Sequence, residues 1–258
     1  MLPVLESRLP PVTGRYFEPF AGSACLFLRV RPSHAVLGDL NRDLLATYRT
    51  VRHRPEAVAR RMTAWPTDEA SYYSVRRLSP DDLDAVGRAA RFIFLNRLCF
   101  NGVYRTNRAG QFNVPFGRNT GSLPRPADFR AFAFALRGVD LRGGDFEVTT
   151  ADAVAGDVAY LDPPYTQDPA SAYGVYGYGA FQGADVERLA QHMRRLDERG
   201  VAVLLSYADT PELRAALDDR WTIETVHGYY QVAAHTRSRR RRPEVLVSNA
   251  DSVCELAT

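Results

Sequence analysis

The sequence contains no lysine. All 33 basic residues among its 258 are arginines, and against 30 acidic side chains they leave a net charge of +3. Codon bias in a GC-rich genome explains such a composition, and so does selection for planar guanidinium groups that grip phosphate and guanine. Because codon bias alone accounts for the total, only the placement of individual arginines informs function.

Cysteine and histidine are also scarce. Cys25, Cys99 and Cys254 are odd in number and far apart, which argues against disulfides and structural zinc. The five histidines fall singly, so no pair has a metal-ligand spacing and we expect no metal. Long apolar runs and a signal peptide are missing too, so we expect a cytoplasmic protein without membrane contact, monomeric in solution.

The remaining composition is that of a globular α/β protein. A hydrophobic content of 45% over 258 residues is enough to bury a full core. One α/β domain with an insertion or a small second domain fits this length.

A short apolar run, Val158 to Leu161, precedes the sequence Asp162-Pro163-Pro164-Tyr165. The run predicts a buried strand, and the two prolines end it because they cannot extend a hydrogen-bonded ladder. A carboxylate is therefore expected at the carboxyl end of a strand, where open α/β sheets place their chemistry.

These four residues suit a flipped, planar base that carries an exocyclic amine. Asp162 can accept one N–H bond, the Pro163 carbonyl can accept a second, and Tyr165 offers a ring for stacking. A strand followed by a proline-rich turn without function is an equally good interpretation of the four residues alone.

The segment from Gly14 to Ala24 predicts a strand, a tight turn of small residues and the start of a helix. Glu18 at the strand end could bind an ammonium group. A second strand ends on Asp39, and Asn41 could cap the helix from Arg42 to His53. An acid at this distance from a small-residue turn binds ribose in dinucleotide folds. Asp39 as a mere helix cap is the competing interpretation, and the joint pattern favours nucleoside binding.

Between Pro55 and about Asp140 the strand–helix alternation stops. Helices are predicted over residues 54–65, 69–78 and 83–95, and a hairpin rich in arginine, amide and aromatic side chains follows over residues 96–118. Such a hairpin could insert fork donors and amides into a DNA groove, whereas the alternative is a polar loop with aromatic anchors. The candidate DNA contacts in it are Arg97, Asn101, Tyr104, Arg105, Asn107, Arg108, Asn113 and Arg118.

The α/β pattern returns with Gly144-Asp145-Phe146 and continues to the end of the chain. Residues 166–182, rich in tyrosine and glycine, predict a mobile loop at the mouth of the site. A helix over 185–199, a buried strand over 201–207, a helix over 210–217 and an antiparallel strand pair near 221–227 and 245–248 are expected after it. Charge runs are usually solvated, but beside a base-flipping site a basic run could grip phosphates. Such a basic run lies between the two strands of this pair and comprises Arg237, Arg239, Arg240, Arg241 and Arg242.

Taken together, these residues resemble the Dam-type (D12 class, α group) DNA adenine N6 methyltransferases. The resemblance runs from about Leu2 to Asn249, with the cofactor motif first, target recognition second and the catalytic motif third. The most specific matching segments are residues 18–22, 96–105, 112–117, 144–146 and 162–165.

The resemblance implies a Rossmann-like α/β fold with a seven-stranded methyltransferase sheet. It implies a catalytic domain of residues 1–54 and 141–258 that binds S-adenosylmethionine, and an inserted, mainly helical target-recognition domain of residues 55–140. Double-stranded DNA is the expected substrate, and GATC is the recognition sequence that the resemblance suggests.

The resemblance also assigns roles to single residues. Glu18 and the small-residue turn would hold the methionine portion of the cofactor, Asp39 its ribose and Asp145 its adenine. Asp162, Pro163, Pro164 and Tyr165 would hold the flipped target adenine. The implied cofactor-binding residues are Phe17, Glu18, Pro19, Phe20, Ala21, Gly22, Ser23, Asp39, Asp145 and Phe146.

The sequence departs from the family pattern at two points. A Lys-Trp-x-Gly-Gly-Lys element usually precedes the Leu-Pro that matches Leu2-Pro3, and it is not present here. A catalytically impaired DNA-binding homologue is therefore an alternative, as is methylation of cytosine N4, RNA adenine or a glutamine side chain. The family also commonly has Asn where Tyr207 stands, which bears on the shape of the target pocket.

Overall fold

A computed structural model of the chain describes residues 1–102, 104–107, 110–118, 121–164, 181–226 and 243–249. These residues form two compact units. The sheet unit comprises Met1–Leu40 and the described residues from Gly138 onward, and the helical unit comprises Asn41–Arg137. The assignment of catalysis to one unit and target recognition to the other stays a prediction.

The sheet unit alternates strands and helices. Its strands are β1 (Tyr16–Glu18), β2 (Ala35–Asp39), β3 (Asp140–Gly143), β4 (Val158–Leu161), β5 (Ala202–Ala208), β6 (Thr222–Val226) and β7 (Glu244–Ser248). Its helices are α1 (Leu2–Arg8), α2 (Cys25–Val30), α8 (Phe146–Thr149), α9 (Gly183–Glu198) and α10 (Pro211–Ala216).

The strands form one seven-stranded sheet in the order β3-β2-β1-β4-β5-β7-β6. The first five are parallel to one another, whereas β7 runs antiparallel to both β5 and β6. The predicted fold class, a Rossmann-like seven-stranded methyltransferase sheet with helices, is confirmed.

Alternate residues of the central strands face opposite sides of this sheet. One side carries Phe17, Leu161 and Leu205, which pack in a core with α9. On α9 the buried residues recur at helical spacing as Val186, Leu189, Ala190, Met193 and Leu196. The other side carries polar residues of the central strands, such as Glu18 and Ser206. The candidate functional side chains therefore lie on the face of the sheet that α9 does not cover.

The helical unit consists of helices around a second core. They are α3 (Arg42–His53), α4 (Pro55–Thr63), α5 (Glu69–Arg77), α6 (Ala85–Leu98) and α7 (Pro126–Ala135). The core includes Val58, Met62, Tyr72, Phe94 and Phe129. None of the described helices in either unit is long and apolar enough to cross a membrane.

Side-chain caps fix where several of these helices begin. The Asn41 side chain accepts hydrogen bonds from the backbone N–H groups of Asp43 and Leu44, both at 3.1 Å, which confirms the predicted cap of α3. Asp68 and Asp84 cap α5 and α6 in the same way. Because a cap replaces hydrogen bonds that the first turn cannot make within the helix, it fixes the first residue of the helix.

Candidate active site

Four acidic side chains stand at or just after the carboxyl ends of parallel strands. Glu18 ends β1, Asp39 ends β2, and Asp162 follows β4 directly. Asp145 lies two residues after β3. Since β3, β2, β1 and β4 are parallel neighbours, these acids gather along one edge of the sheet.

Glu18 is a buried acid with only 3% of its surface exposed. Its Oε2 accepts hydrogen bonds from the Tyr16 hydroxyl at 2.8 Å and from the backbone N–H of Phe27 in α2 at 3.2 Å. Burial raises the pKa of Glu18 to about 8, and the negative charge of Asp162 adds to the shift. Glu18 is therefore protonated at neutral pH and would ionise readily beside a cation.

Asp162 is partly buried and is held by hydroxyl groups from its own strand and the next one. The Ser206 hydroxyl donates to Asp162 Oδ1 at 2.9 Å, and the Tyr160 hydroxyl lies 3.0 Å from Ser206 Oγ. Burial raises the pKa of Asp162, while hydrogen bonds from Ser206 and Tyr160 oppose the rise. Pro163 is buried and Pro164 half-buried directly after it, so the acid stands on a rigid backbone.

The turn between β1 and α2 is built for close approach to its backbone. Gly22 and Ala24 adopt positive φ angles of 46° and 52°, which suit small residues. The Gly22 N–H donates to Asp39 Oδ2 at 3.0 Å, and the Ala21 N–H donates to the Gly38 carbonyl at 2.8 Å. Asp39 thus ties the end of β2 to this turn.

Asp145 begins α8 and is paired with an arginine of α9. Its Oδ1 accepts the backbone N–H of Glu147 at 3.0 Å, and its Oδ2 accepts Arg188 Nη2 at 2.8 Å. The Arg188 guanidinium also covers the Phe146 ring at 4.6 Å. A carboxylate has about four acceptor positions, so Asp145 can still bind a further donor.

Aromatic rings extend from this region across the sheet unit. The Phe20 ring lies 5.3 Å from that of Phe146 and 6.4 Å from that of Phe181, which in turn lies 6.3 Å from Tyr207. Tyr207 is fully buried in the core with α9. Because residues of a strand alternate between faces, Tyr207 lies on the opposite face from Ser206 and Asp162, so the departure from the family pattern at Tyr207 does not touch the Asp162 carboxylate.

The other predicted cofactor residues lie in and around the β1–α2 turn. Phe17 is fully buried in the core, under the guanidinium of Arg15 at 4.8 Å. Pro19 and Ala21 are buried, and Ser23 is exposed with its hydroxyl 3.2 Å from Cys25 Sγ. The side chain of Phe17 therefore supports the sheet, and the turn is the part of this segment that remains open to a ligand.

In the helical unit, two antiparallel bridges, between Cys99 and Phe116 and between Thr106 and Phe112, join described residues of the predicted hairpin, which we call the hairpin of residues 99–116. Phe100–Gly102 forms a 3-10 helix next to the first bridge. Asn101 adopts a positive φ of 58°. Within the hairpin, Arg105 Nε donates to Asn113 Oδ1 at 3.0 Å, so these two predicted DNA contacts hold each other.

The other described DNA-contact candidates differ in their surroundings. Asn107 bonds Gln111 across the hairpin tip through backbone and side chain. The Tyr104 ring packs against Phe92 and Phe112. Arg97 donates to the Ser122 carbonyl at 2.8 Å, and Arg118 is exposed.

Two side chains of α5 donate hydrogen bonds to the backbone of this hairpin. The Tyr72 hydroxyl and Arg76 Nη1 both donate to the carbonyl of Val114, at 2.9 and 3.0 Å. Arg91 of α6 in turn donates to the carbonyls of Val75 and Arg76 at 3.1 and 2.8 Å. These contacts link α5, α6 and the hairpin, and the sequence analysis did not identify them.

Some predicted site residues lie outside the described residues. They are Tyr165, Arg108, the predicted loop at the mouth of the site as far as residue 180, and the basic run of Arg237 and Arg239 to Arg242.

Four further side chains bond or interact with the acids of the site and were not predicted from the sequence: Tyr16, Tyr160, Arg188 and Ser206. Tyr160 and Asp162 are two residues apart on one strand, so strand periodicity places them on one face. Ser206 comes next to Asp162 only through the pairing of β4 with β5, which one sequence does not reveal.

Comparison with known proteins places this chain in a family. The family model described as "D12 class N6 adenine-specific DNA methyltransferase" matches residues 1–234. The chain is 32% identical to the Type II methyltransferase M1.LlaDCHI of Lactococcus lactis subsp. cremoris, over 96% of this chain and 91% of that protein.

Two further relatives agree with this match. The Type II methyltransferase M.MjaIII of Methanocaldococcus jannaschii is 30% identical over 82% of this chain and 80% of its own length. The DNA adenine methylase of Escherichia coli strain K12 is 33% identical over 75% of this chain and 71% of its own length. With a family model that covers most of its length and a relative that spans it nearly end to end, the chain belongs to the D12 class of N6 adenine-specific DNA methyltransferases.

Proposed function

We propose that the protein transfers a methyl group from S-adenosylmethionine to N6 of an adenine that is flipped out of double-stranded DNA. The observation that carries the proposal is the position of Asp162. It stands at the carboxyl end of β4, on a rigid proline pair, with its carboxylate fixed by Ser206 and beside the buried Glu18 of the neighbouring strand. A planar amine needs such a preset acceptor.

The residues along this edge of the sheet suit S-adenosylmethionine. A Cβ built on Gly22 would meet only the Phe20 carbonyl oxygen, at 3.9 Å, so a ligand can approach this turn. Glu18 would bind the ammonium group, Asp39 the ribose hydroxyls and Asp145 the adenine amine, because carboxylates accept hydrogen bonds from each of these groups. S-adenosylmethionine, when bound, supplies a methyl group activated by its positively charged sulfur.

Asp162 and the Pro163 carbonyl act on the target amine. The lone pair of an adenine amine is delocalised into the ring, so the amine is a poor nucleophile unless its geometry is changed. Two acceptors that hold its two N–H groups localise the lone pair and direct it at the methyl group. The amine would attack the methyl group in line, the bond from the methyl carbon to sulfur would break with S-adenosylhomocysteine as the leaving group, and the amine would then release one of its two protons. No covalent enzyme intermediate is required.

On the DNA side, the hairpin of residues 99–116 would read the bases. Arginine forks bind guanine O6 and N7, and amides bind adenine N6 and N7. Arg105, Asn107 and Asn113 supply both types within one hairpin, which favours a short site containing guanine and adenine. The basic run near Arg239 would grip phosphates without reading sequence.

The proposal is tested by transfer of radiolabelled methyl from S-adenosylmethionine to duplex DNA, followed by digestion to nucleosides. Label in N6-methyladenine is the expected result, with none from an Asp162→Ala variant. Label only in cytosine, in RNA or in protein would contradict the proposal. Calorimetric titration with the cofactor separates a binding defect from a defect in transfer.

A further inference from the structure

Ser206 lies beside Asp162 because two parallel strands pair in one register. Leu161 of β4 is opposite Leu205 of β5, so the next residues, Asp162 and Ser206, are neighbours on the same face of the sheet. Ser206 is only 5% exposed and Tyr160 only 3%. Buried hydroxyl groups need hydrogen-bond partners, and these two find theirs in the chain that leads to Asp162.

The direction of this chain follows from its acceptor. Asp162 in its ionised form can only accept, so the Ser206 hydroxyl donates to Oδ1 at 2.9 Å. With its own proton used there, Ser206 Oγ accepts from the Tyr160 hydroxyl at 3.0 Å. Ser206 therefore bonds the carboxylate directly, and Tyr160 supports it both through Ser206 Oγ and through its own hydrogen bond to Asp162.

We propose that Ser206 and Tyr160 are positioning residues for the methyl transfer, which hold the Asp162 carboxylate in the orientation and charge state that receives the target amine. This inference rests on the proposed role of Asp162. Ser206 fixes Oδ1 and with it the plane of the carboxylate, so the remaining acceptor positions face a constant direction. Neither residue touches the reacting atoms.

The electrostatic surroundings make this support necessary. Burial favours the neutral form of Asp162, and the hydroxyls are the groups that oppose it. Among the described residues, the ionisable groups that interact with Asp162 are Glu18 and Tyr16 on β1 and Tyr160 on β4. None of these supplies a positive charge, so it is the hydrogen bonds that lower the pKa of Asp162 against the effect of burial.

The test is a pH profile of single-turnover methyl transfer at saturating S-adenosylmethionine and duplex DNA. Ser206→Ala is expected to move the acidic limb of the profile upward by about one to two pH units, the size expected for one lost charge-assisted hydrogen bond. Tyr160→Phe should move it in the same direction by less. Ser206→Thr keeps the hydroxyl and should restore the wild-type limb.

Tyr207→Phe is the matched control, since it removes one hydroxyl from the adjacent residue on the opposite face of the sheet. It should leave the limb in place. A Ser206→Ala variant that loses the same factor in rate at every pH, or loses nothing, would overturn the inference because it would show a merely structural role.

A second measurement separates this inference from the proposed function. The carboxyl carbon of Asp162 is titrated by NMR in wild type and Ser206→Ala, with Asp162→Asn assigning the signal. An equal pKa in both proteins contradicts the positioning role, whether or not the protein methylates DNA. A wild-type protein that labels no adenine, with a higher pKa in Ser206→Ala, contradicts the proposed function and leaves the hydroxyl support intact.

Discussion

Glu18 is an ionisable side chain that is buried in the folded protein, so the free energy of unfolding depends on pH through this residue. Its pKa is raised from 4.5 to about 8 in the folded state. Between these values the unfolded chain has lost the proton that the folded protein retains, so the free energy of unfolding falls as pH rises. The acid that we propose for the cofactor therefore destabilises the free protein at neutral and alkaline pH.

Glu18→Gln should accordingly stabilise the protein. The amide oxygen can still accept from Tyr16 and Phe27, and no charge is buried, so the gain should reach a few kcal/mol near pH 8 and vanish near pH 4.5. Urea unfolding at several pH values measures it. Glu198→Gln, an exposed residue on α9, is the control and should change nothing. The same Glu18→Gln variant should bind S-adenosylmethionine more weakly, and unchanged binding would remove Glu18 from the cofactor site.

Asp162 and Asp39 should separate transfer from cofactor binding. Asp162→Ala should abolish methyl transfer and leave cofactor affinity nearly intact, because its acceptor serves the target amine. Asp39→Ala should weaken cofactor binding by about 1 to 3 kcal/mol, through loss of a charge-assisted hydrogen bond. Calorimetry and transfer assays on both variants give the result, and the opposite pattern would mean that the two pockets are exchanged.

Among single residues, the acids at the strand ends could be predicted from the sequence, but the side chains that hydrogen-bond to them could not. Glu18, Asp39 and Asp162 follow apolar runs, so each is recognisable as the end of a strand. Arg188 reaches Asp145, and Ser206 reaches Asp162, only through tertiary packing. Local patterns carry no information on such contacts.

Among the elements, the hairpin of residues 99–116 is the one that we propose to read DNA bases through its side chains. Arg105→Ala should relax base choice at one position of the recognition site, because a bidentate arginine contributes about 1 to 3 kcal/mol of discrimination. Arg108→Ala should do the same at one position. Arg130→Ala, exposed on α7, is the control and should leave the profile of methylated sites unchanged on sequencing.

Neutralising Arg239 to Arg242 should act differently from the hairpin variants. Phosphate contacts release counterions, so all DNA binding should weaken and its dependence on salt should decrease. Binding assays over a range of salt concentrations test this. A change of base choice here, with none from the hairpin variants, would reverse the two roles.

Packing between β2 and α8 depends on a missing side chain. A Cβ on Gly38 would lie 2.6 Å from the buried Thr149 side chain. Gly38→Ala should therefore cost about 1 to 3 kcal/mol of stability by overpacking. Gly183→Ala is the matched control, since a Cβ there would meet nothing within 4 Å. Equal urea midpoints for the two variants would show that Thr149 can move aside.

Most elements could be predicted from periodicity and caps, including α3, α9 and the antiparallel pair of β6 and β7. Helices α1, α7 and α8 and strand β3 were not predicted. In α7 the first-turn signals were present, with Pro126 opening the helix and Asp128 bonding back to the N–H of Arg125. Its alternating alanines and phenylalanines lack a clear polar face, so the hydrophobic pattern did not distinguish it from a loop.

At the scale of the whole molecule, two buried groups oppose each other in their effect on stability. His192 is buried, with Nε2 2.7 Å from Thr150 Oγ1, and burial lowers its pKa from 6.5 to about 4. Between about pH 4 and 6.5 the unfolded chain binds a proton at His192 that the folded protein does not bind. The free energy of unfolding therefore rises with pH over this range. Over the lower part of its own range, Glu18 acts in the opposite direction.

The free energy of unfolding should therefore be nearly level between about pH 4.5 and 6.5 and should fall from there to about pH 8. Below about pH 4.5 the free energy of unfolding should decrease as the pH is lowered. Arg142 and Arg15 hold the pKa of Asp152 well below its usual value, so the unfolded chain binds this proton at a higher pH than the folded protein. Urea titrations of wild type and Glu18→Gln test the balance. In the variant, the level part should become a rise up to pH 6.5, and a level profile in both proteins would contradict the assignment.

The chain leaves the sheet after β2 and returns to it at β3, its direct parallel neighbour, and Asn41–Arg137 lies between them. Extending such a connection is cheap, since doubling the length of a closed loop costs only about 0.6 kcal/mol of chain entropy. Whatever the insertion recognises, β1, β2 and β4 keep their register. If Asn41–Arg137 reads the DNA as we propose, we expect relatives to differ in this insertion and in their recognition sites, while the proposed methyl-transfer residues at the ends of the strands stay the same.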